Sequence, residues 1–275
     1  MLPRKISRLS LKKSKKLSAL LSACVLLSLS GCSGIKTRRG LNPNQNIEKN
    51  RSSLFEYSDK AGRFYLQRES GRMAKSAKYM VKEKMYVPDE ENEEVERLVS
   101  ISKVGEVNGL KLLRPERSQY TVWFDGKKYS SELKLDVQQR KMLVEMSSPE
   151  KEWNGSEEFS FPKGTGVYCF FSQVIECASI TGFINKALEK KAGVMRFHIV
   201  WDGYPYIMEQ YPGIPEGVFS SASLEYDGQT ESGEKRFMLK FGGETIFYMV
   251  NPISGQFTKK MWVSQGVTQT LRGQP

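Results

Sequence analysis

The chain has 275 residues, with 42 Lys and Arg against 31 Asp and Glu, for a formal net charge of +11. Seven of the basic residues (Arg4, Lys5, Arg8, Lys12, Lys13, Lys15 and Lys16) stand ahead of position 17, where there is no carboxylate; without the first 31 residues the balance is 35 against 31, a net +4. The basicity therefore belongs to the amino terminus, and no basic stripe interleaved with aromatics follows, which excludes a nucleic-acid-binding reading.

The first element is an apolar run from Leu17 to Leu29, interrupted by Ser18, Ser22 and Ser28. It falls short of the about 20 residues that a helix needs to cross a bilayer. A basic start, a short apolar middle and small residues at its end describe a secretory signal peptide. A buried core helix would have to accommodate the seven charges before it. The run closes on Leu29-Ser30-Gly31-Cys32, which resembles the lipobox of bacterial lipoproteins. That resemblance covers about the first 32 residues and implies a processing route, not a fold. It implies cleavage between Gly31 and Cys32, a diacylglyceryl group on the Cys32 sulfur, and often an acyl group on the new amine. Each buried methylene adds about 0.8 kcal/mol, so two or three chains hold a protein to a membrane almost permanently. Ser33 in place of aspartate after the cysteine implies, in such proteins, an outer membrane address facing the periplasm if the cell has two membranes. The alternative is a plain signal peptide with an incidental cysteine.

Residues 1–31 are thus expected to be a removed signal peptide and 32–54 a lipidated cysteine with a flexible tether. The tether is polar and is broken by Gly40 and Pro43. Residues 55–275 are expected to form a single β-rich domain.

Within that domain, residues 73–87 place Met73, Ala77, Tyr79, Val81, Met85 and Val87 on odd positions and mostly charged residues on even ones, which predicts a half-buried strand. Tyr120 to Phe124 runs into Asp125-Gly126, a two-residue hairpin signal. Phe197 to Trp201 runs into Asp202-Gly203, a second such signal in the same turn chemistry. Phe237, Leu239 and Phe241 alternate with Arg236, Met238 and Lys240; Gly242-Gly243 then turns the chain into 245–250, and Asn251-Pro252 with Ser254-Gly255 leads to a last strand near 257–263. Between these lies one helical segment, residues 181–192, with Phe183, Ile184, Ala187 and Leu188 on one face, lysines near its end and Gly193 after it. The predicted fold is mainly β, a curved antiparallel meander or partial barrel packed on that one amphipathic helix.

Cys24 leaves with the leader and Cys32 carries lipid, so Cys169 and Cys177 are expected to form a disulfide in an exported domain. Eight residues of extended strand span about 26 Å, and bridged Cα atoms sit about 4.4–6.8 Å apart. The chain must therefore reverse between them, although that stretch contains no Gly or Pro.

Catalytic residues are not expected. His198, the one histidine, falls on the polar face of a strand, and no nucleophile elbow or metalloprotease helix accompanies it. Ser131 with Lys134, Ser100 with Lys103 and Ser232 with Lys235 all share the spacing of a serine-lysine pair, which is how a chance pattern behaves. No metal or other cofactor is called for: Cys169 and Cys177 lack suitably spaced partner ligands. The acidic run Asp89 to Glu96 lacks the spacing of a calcium loop and reads as solvated.

The expected function is therefore binding. The concave side of the sheet, near Phe183, Ile184, Leu188, Trp201, Tyr204 and Tyr206, is the candidate surface for an apolar ligand or a hydrophobic segment of another envelope protein. The rival is an envelope scaffold whose core is closed by its own side chains; an enzyme, marked by a convergent polar cluster, ranks third.

Overall fold

The computed structural model describes residues 47–59, 63–88, 93–107, 109–163 and 166–273. The lipobox, Cys32 and the cleavage position lie outside them. The described chain forms one curved, barrel-like sheet of strands β1 (Ile47–Ser58), β2 (Arg63–Met73), β3 (Lys78–Tyr86), β4 (Glu94–Val107), β5 (Leu110–Phe124), β6 (Lys127–Asp136), β7 (Lys141–Ser147), β8 (Gly155–Ser160), β9 (Tyr168–Phe170), β10 (Val194–Val200), β11 (Phe219–Gln229), β12 (Lys235–Phe241), β13 (Glu244–Val250), β14 (Phe257–Trp262) and β15 (Val267–Leu271). Sequence neighbours pair throughout, with two exceptions that set the shape. β1 pairs with both β2 and β15, so the first and last strands meet in mid-sheet; β8 and β9 are the two edges. All pairings are antiparallel except that of β9 with β10. The sheet is open, with β8 and β9 at its two ends.

The sequence anticipates this architecture and several of its turns. Asp125 and Gly126 sit at φ 50° and 73°, the left-handed pair that a tight hairpin requires, and Gly242-Gly243 does the same between β12 and β13. Other expectations are corrected. Residues 73–87 are not one strand: the chain turns at 74–77, with Lys75 at φ 55°, and the pairing of Tyr79 with Arg72 shows β3 folding back on β2. The predicted tether 32–54 gives way earlier, because β1 starts at Ile47, where its backbone pairs with Met73.

The second Asp-Gly is not a hairpin. After β10 the chain enters the concave side through Asp202-Gly203 and a cis Tyr204–Pro205 bond into helix α3 (Tyr206–Gln210). Gly203 is needed for space, not for a left-handed φ: a Cβ there would lie 2.9 Å from Ile207 Cβ and 3.1 Å from the Tyr120 ring.

One helix was expected, and the described residues contain three α-helices. The segment 181–192 contains α2 (Phe183–Lys190), and it is preceded by α1 (Val174–Ile180), with Gly182 at φ 75° between them. The 3-10 turn Phe171–Gln173 and α1 supply the reversal that the two cysteines demand without Gly or Pro. The Cα atoms of Cys169 and Cys177 lie 6.3 Å apart, at disulfide distance.

The helices fill the concave side because the strands facing them leave room. Ser70, Val81, Ser100, Ser118, Leu133 and Val144 are partners across β2 to β7 and are all buried, so one cross-strand row of six strands carries small or aliphatic side chains. The opposite wall is aromatic: Phe171, Trp201, Phe241 and Trp262 pack with successive ring centroids 4.7, 5.2 and 5.7 Å apart. Among the described residues, no helix is long and apolar enough to cross a membrane.

Candidate functional site

The residues expected to form an open apolar surface are mostly inside the core. Ile184, Trp201 and Tyr206 are buried, Trp201 completely, while Phe183, Leu188 and Tyr204 are half-buried against the same cluster. Trp201 Nε1 donates to Ser220 Oγ at 2.8 Å and Tyr206 donates its hydroxyl to the carbonyl of Trp153 at 3.0 Å. Their apolar area is spent on packing, so the concave side has no open apolar floor at these positions. His198 is half-buried and stacks on Tyr168 at 5.4 Å. Ser131 is buried on the inner face, and Lys134 pairs with Glu132 and Glu145, so these two do not form a nucleophile pair.

The interior instead holds a polar seam that hydrophobic patterning did not reveal. Asp202, fully buried, accepts hydrogen bonds from Ser100 Oγ at 2.7 Å and from Ser172 Oγ. Ser118 donates to the Asp202 carbonyl at 2.9 Å, and Gln173 Nε2 donates to the carbonyl of Ser100 at 2.9 Å. Burial pushes the Asp202 carboxyl up to about 6 against the pull of its serine donors, and its Oδ1 has no hydrogen-bond partner.

Next along the seam is Arg68, 2% exposed, on the inner face of β2. Its guanidinium donates to Glu83 at 2.9 Å, to Glu176 at 2.7 Å and to the Ser172 carbonyl at 3.0 Å, and it lies over the ring of Phe257. One cation thus answers two carboxylates.

The two carboxylates lead to different openings. Glu176, on α1, floors a cleft of about 790 Å³ between β2, β3, α1 and the turn before β14. Arg72, Tyr79, Ser179, Ile180 and Gln256 line it with Glu176, and the second carboxylate oxygen of Glu176 and the Ser179 hydroxyl are buried without partners. Its volume falls within the about 300–1,000 Å³ of small-molecule sites.

Glu83 faces a second, far smaller chamber of about 30 Å³, shared with Glu96, Lys260, Tyr211 and Gln269 and walled by Phe171 and Trp262. Cross-strand register assembles it: Tyr57, Gln269, Lys260 and Tyr248 are partners across β1, β15, β14 and β13. Tyr57 and Tyr211 share a hydroxyl hydrogen bond at 3.1 Å, and Gln210 links Tyr120 at 2.8 Å to Glu96 at 2.9 Å. Burial pushes the Glu96 carboxyl up to about 7, with the Gln210 bond opposing it; burial also lowers the Lys260 amine, against the pull of Glu83 and Glu96. The acidic run thus ends on an inward-facing residue, Glu96, and the expectation of a solvated loop fails there; 89–92 lie outside the described residues. The only cue in the sequence was the interrupted alternation of Phe257-Thr258-Lys259-Lys260-Met261-Trp262. Among the described residues no cluster of three or more His, Cys, Asp and Glu could hold a metal ion.

No family model matches this chain, and no curated protein does. A solved structure described as a beta-barrel-like protein of domain of unknown function DUF1849 from Brucella abortus aligns with 81% of this chain and 95% of its own, at 12% identity and a TM-score of 0.42.

Proposed function

We propose that this protein is held in the cell envelope by lipid on Cys32 and acts there by binding, with the cleft above Glu176 receiving a ligand or an extended segment of an envelope partner. The observation that carries the reading is the cleft itself, about 790 Å³, whereas the side chains expected to form an open apolar surface are buried or half-buried. Its rim offers both a cation, Arg72, and hydroxyl and amide groups from Ser179 and Gln256 around Tyr79 and Ile180. Such a lining suits a ligand with polar and apolar parts better than a wholly apolar chain. The rival, a scaffold with a closed core, is favoured by the complete burial of Trp201.

The test compares the wild type with Ser179→Trp, which fills the cleft from α1. Both are purified as full mature chains, and co-purifying small molecules and cross-linked envelope proteins are identified by mass spectrometry. A molecule or partner present with wild type and lost from Ser179→Trp supports the cleft. The same set on both proteins, or nothing on either, returns the reading to the scaffold.

A further inference from the structure

The chamber at the other end of the seam contains an amine that no carboxylate pairs among the described residues. A lysine that faces a protein interior normally forms an ion pair, because an unpaired buried charge is costly. Lys260 makes none among the described residues: no carboxylate oxygen comes within 4.0 Å of its Nζ, which lies over the Phe171 ring, 4.5 Å from the centroid. Acids line the same chamber but are engaged elsewhere. Glu83 accepts from Arg68 and Glu96 accepts from Gln210. The residue is half-buried, so solvent reaches it, and the chamber of about 30 Å³ has room for about two waters. The charged groups that act on the amine are Glu83 and Glu96 at the chamber, with Arg68 and Asp202 beyond. Desolvation favours the neutral, nucleophilic amine, and Glu96, whose carboxyl burial pushes up to about 7, lines the same chamber.

We infer that Lys260 is a covalent capture site for small carbonyl compounds, with Glu96 as the group that shuttles protons for it. The Nζ lone pair attacks the carbonyl carbon, a C–N bond forms, and the π pair moves to oxygen, which takes the proton of the Glu96 carboxyl. The Glu96 carboxylate then removes a proton from the nitrogen, leaving a neutral carbinolamine. Glu96 returns that proton to the hydroxyl, which leaves as water, and takes up the last nitrogen proton to give the imine. Amine and carbonyl become imine and water, with Glu96 restored. The chamber limits the partner to aldehydes and ketones of about two or three non-hydrogen atoms, by its capacity for about two waters.

The test uses the full mature chain with limiting acetaldehyde and cyanoborohydride at neutral pH, followed by peptide mass spectrometry of N-ethylated lysines. Lys259, next in sequence on the opposite face of β14, is the internal reference. The expected result is ethylation of Lys260 at least about ten times faster than of Lys259. Glu96→Gln should then slow Lys260 by about a hundred-fold, the lower end of the range for a proton-transfer group, and leave Lys259 unchanged. Benzaldehyde, too large for the chamber, should show no preference. A Lys260 rate equal to or below that of Lys259, or an Lys260 rate indifferent to Glu96→Gln in a variant with wild-type circular dichroism, overturns the inference.

Discussion

Arg68 is the residue on which the two halves of the polar seam meet. It is the shared partner of Glu83 and Glu176, and removing it leaves two half-buried carboxylates without their cation. Arg68→Met should therefore cost about 3–5 kcal/mol in urea denaturation. The double variant Arg68→Met/Glu176→Gln should be less destabilised than the two single effects added together, because one stranded charge is gone. Additive effects would show that the pair is not coupled. Asp202 and Glu96 act in the opposite sense. Burial raises both above their ordinary values, to about 6 from 3.8 and to about 7 from 4.5. Folded protein thus holds more protons than unfolded chain in these windows, and stability falls as pH rises, from about 3.8 to 6 for Asp202 and from 4.5 to 7 for Glu96. At about 1.4 kcal/mol per unit the loss is on the order of 3 kcal/mol for each. Denaturation midpoints should decline between pH 4.5 and 7.5, and Glu96→Gln should flatten the upper part of that decline. A Glu96→Gln profile parallel to wild type would mean that Glu96 titrates normally.

The same dipeptide does different work in two elements, and that difference shows what patterning can reveal. At Asp125-Gly126 the backbone conformation is the requirement: Gly126 has φ 73° and no atom within 4 Å of a Cβ position. At Asp202-Gly203 the requirement is space against Ile207 and Tyr120. Asparagine tolerates left-handed φ but has a side chain, so Gly126→Asn should lose less than about 1 kcal/mol, whereas Gly203→Asn should lose about 1–3 kcal/mol or more by overpacking. Similar losses at both sites would refute the distinction. Hairpin signals were legible in the sequence because they are local, and β12 was legible because one of its faces is wholly apolar. The break between β2 and β3 was not, since residues 74–77 carry no Gly or Pro and Lys75 takes the left-handed position. Nor was α1, which reverses the chain by helical winding alone. Reducing the Cys169–Cys177 bridge that α1 closes should cost about 2–3 kcal/mol, read as a shift in denaturation midpoint with reductant. The seam was the least legible feature: Glu96 and Lys260 are charged residues on inward faces, and alternation assigns such residues outward.

For the whole molecule, the proposed anchor at Cys32 sets where the cleft can act. The first described strand begins at Ile47, so about 15 residues separate it from Cys32. Fully extended, that length reaches at most about 50 Å. A lipid at Cys32 would hold the cleft, whose wall includes Arg72 opposite Glu48 in β1, within that distance of the bilayer. Binding and anchoring would then act together, because confinement to a surface raises the concentration of the cleft relative to any ligand or partner on the same membrane. Cys32 lies outside the described residues, and its replacement should separate the proposed anchoring from the proposed binding. Cys32→Ser is expected to move the protein from the detergent phase to the aqueous phase and to leave its denaturation midpoint unchanged. Ligand capture in cells should fall with it, while capture by the purified variant in solution should not. Continued partition of Cys32→Ser with detergent would place the anchor elsewhere, and a parallel loss of capture in solution would place Cys32 within the folded unit.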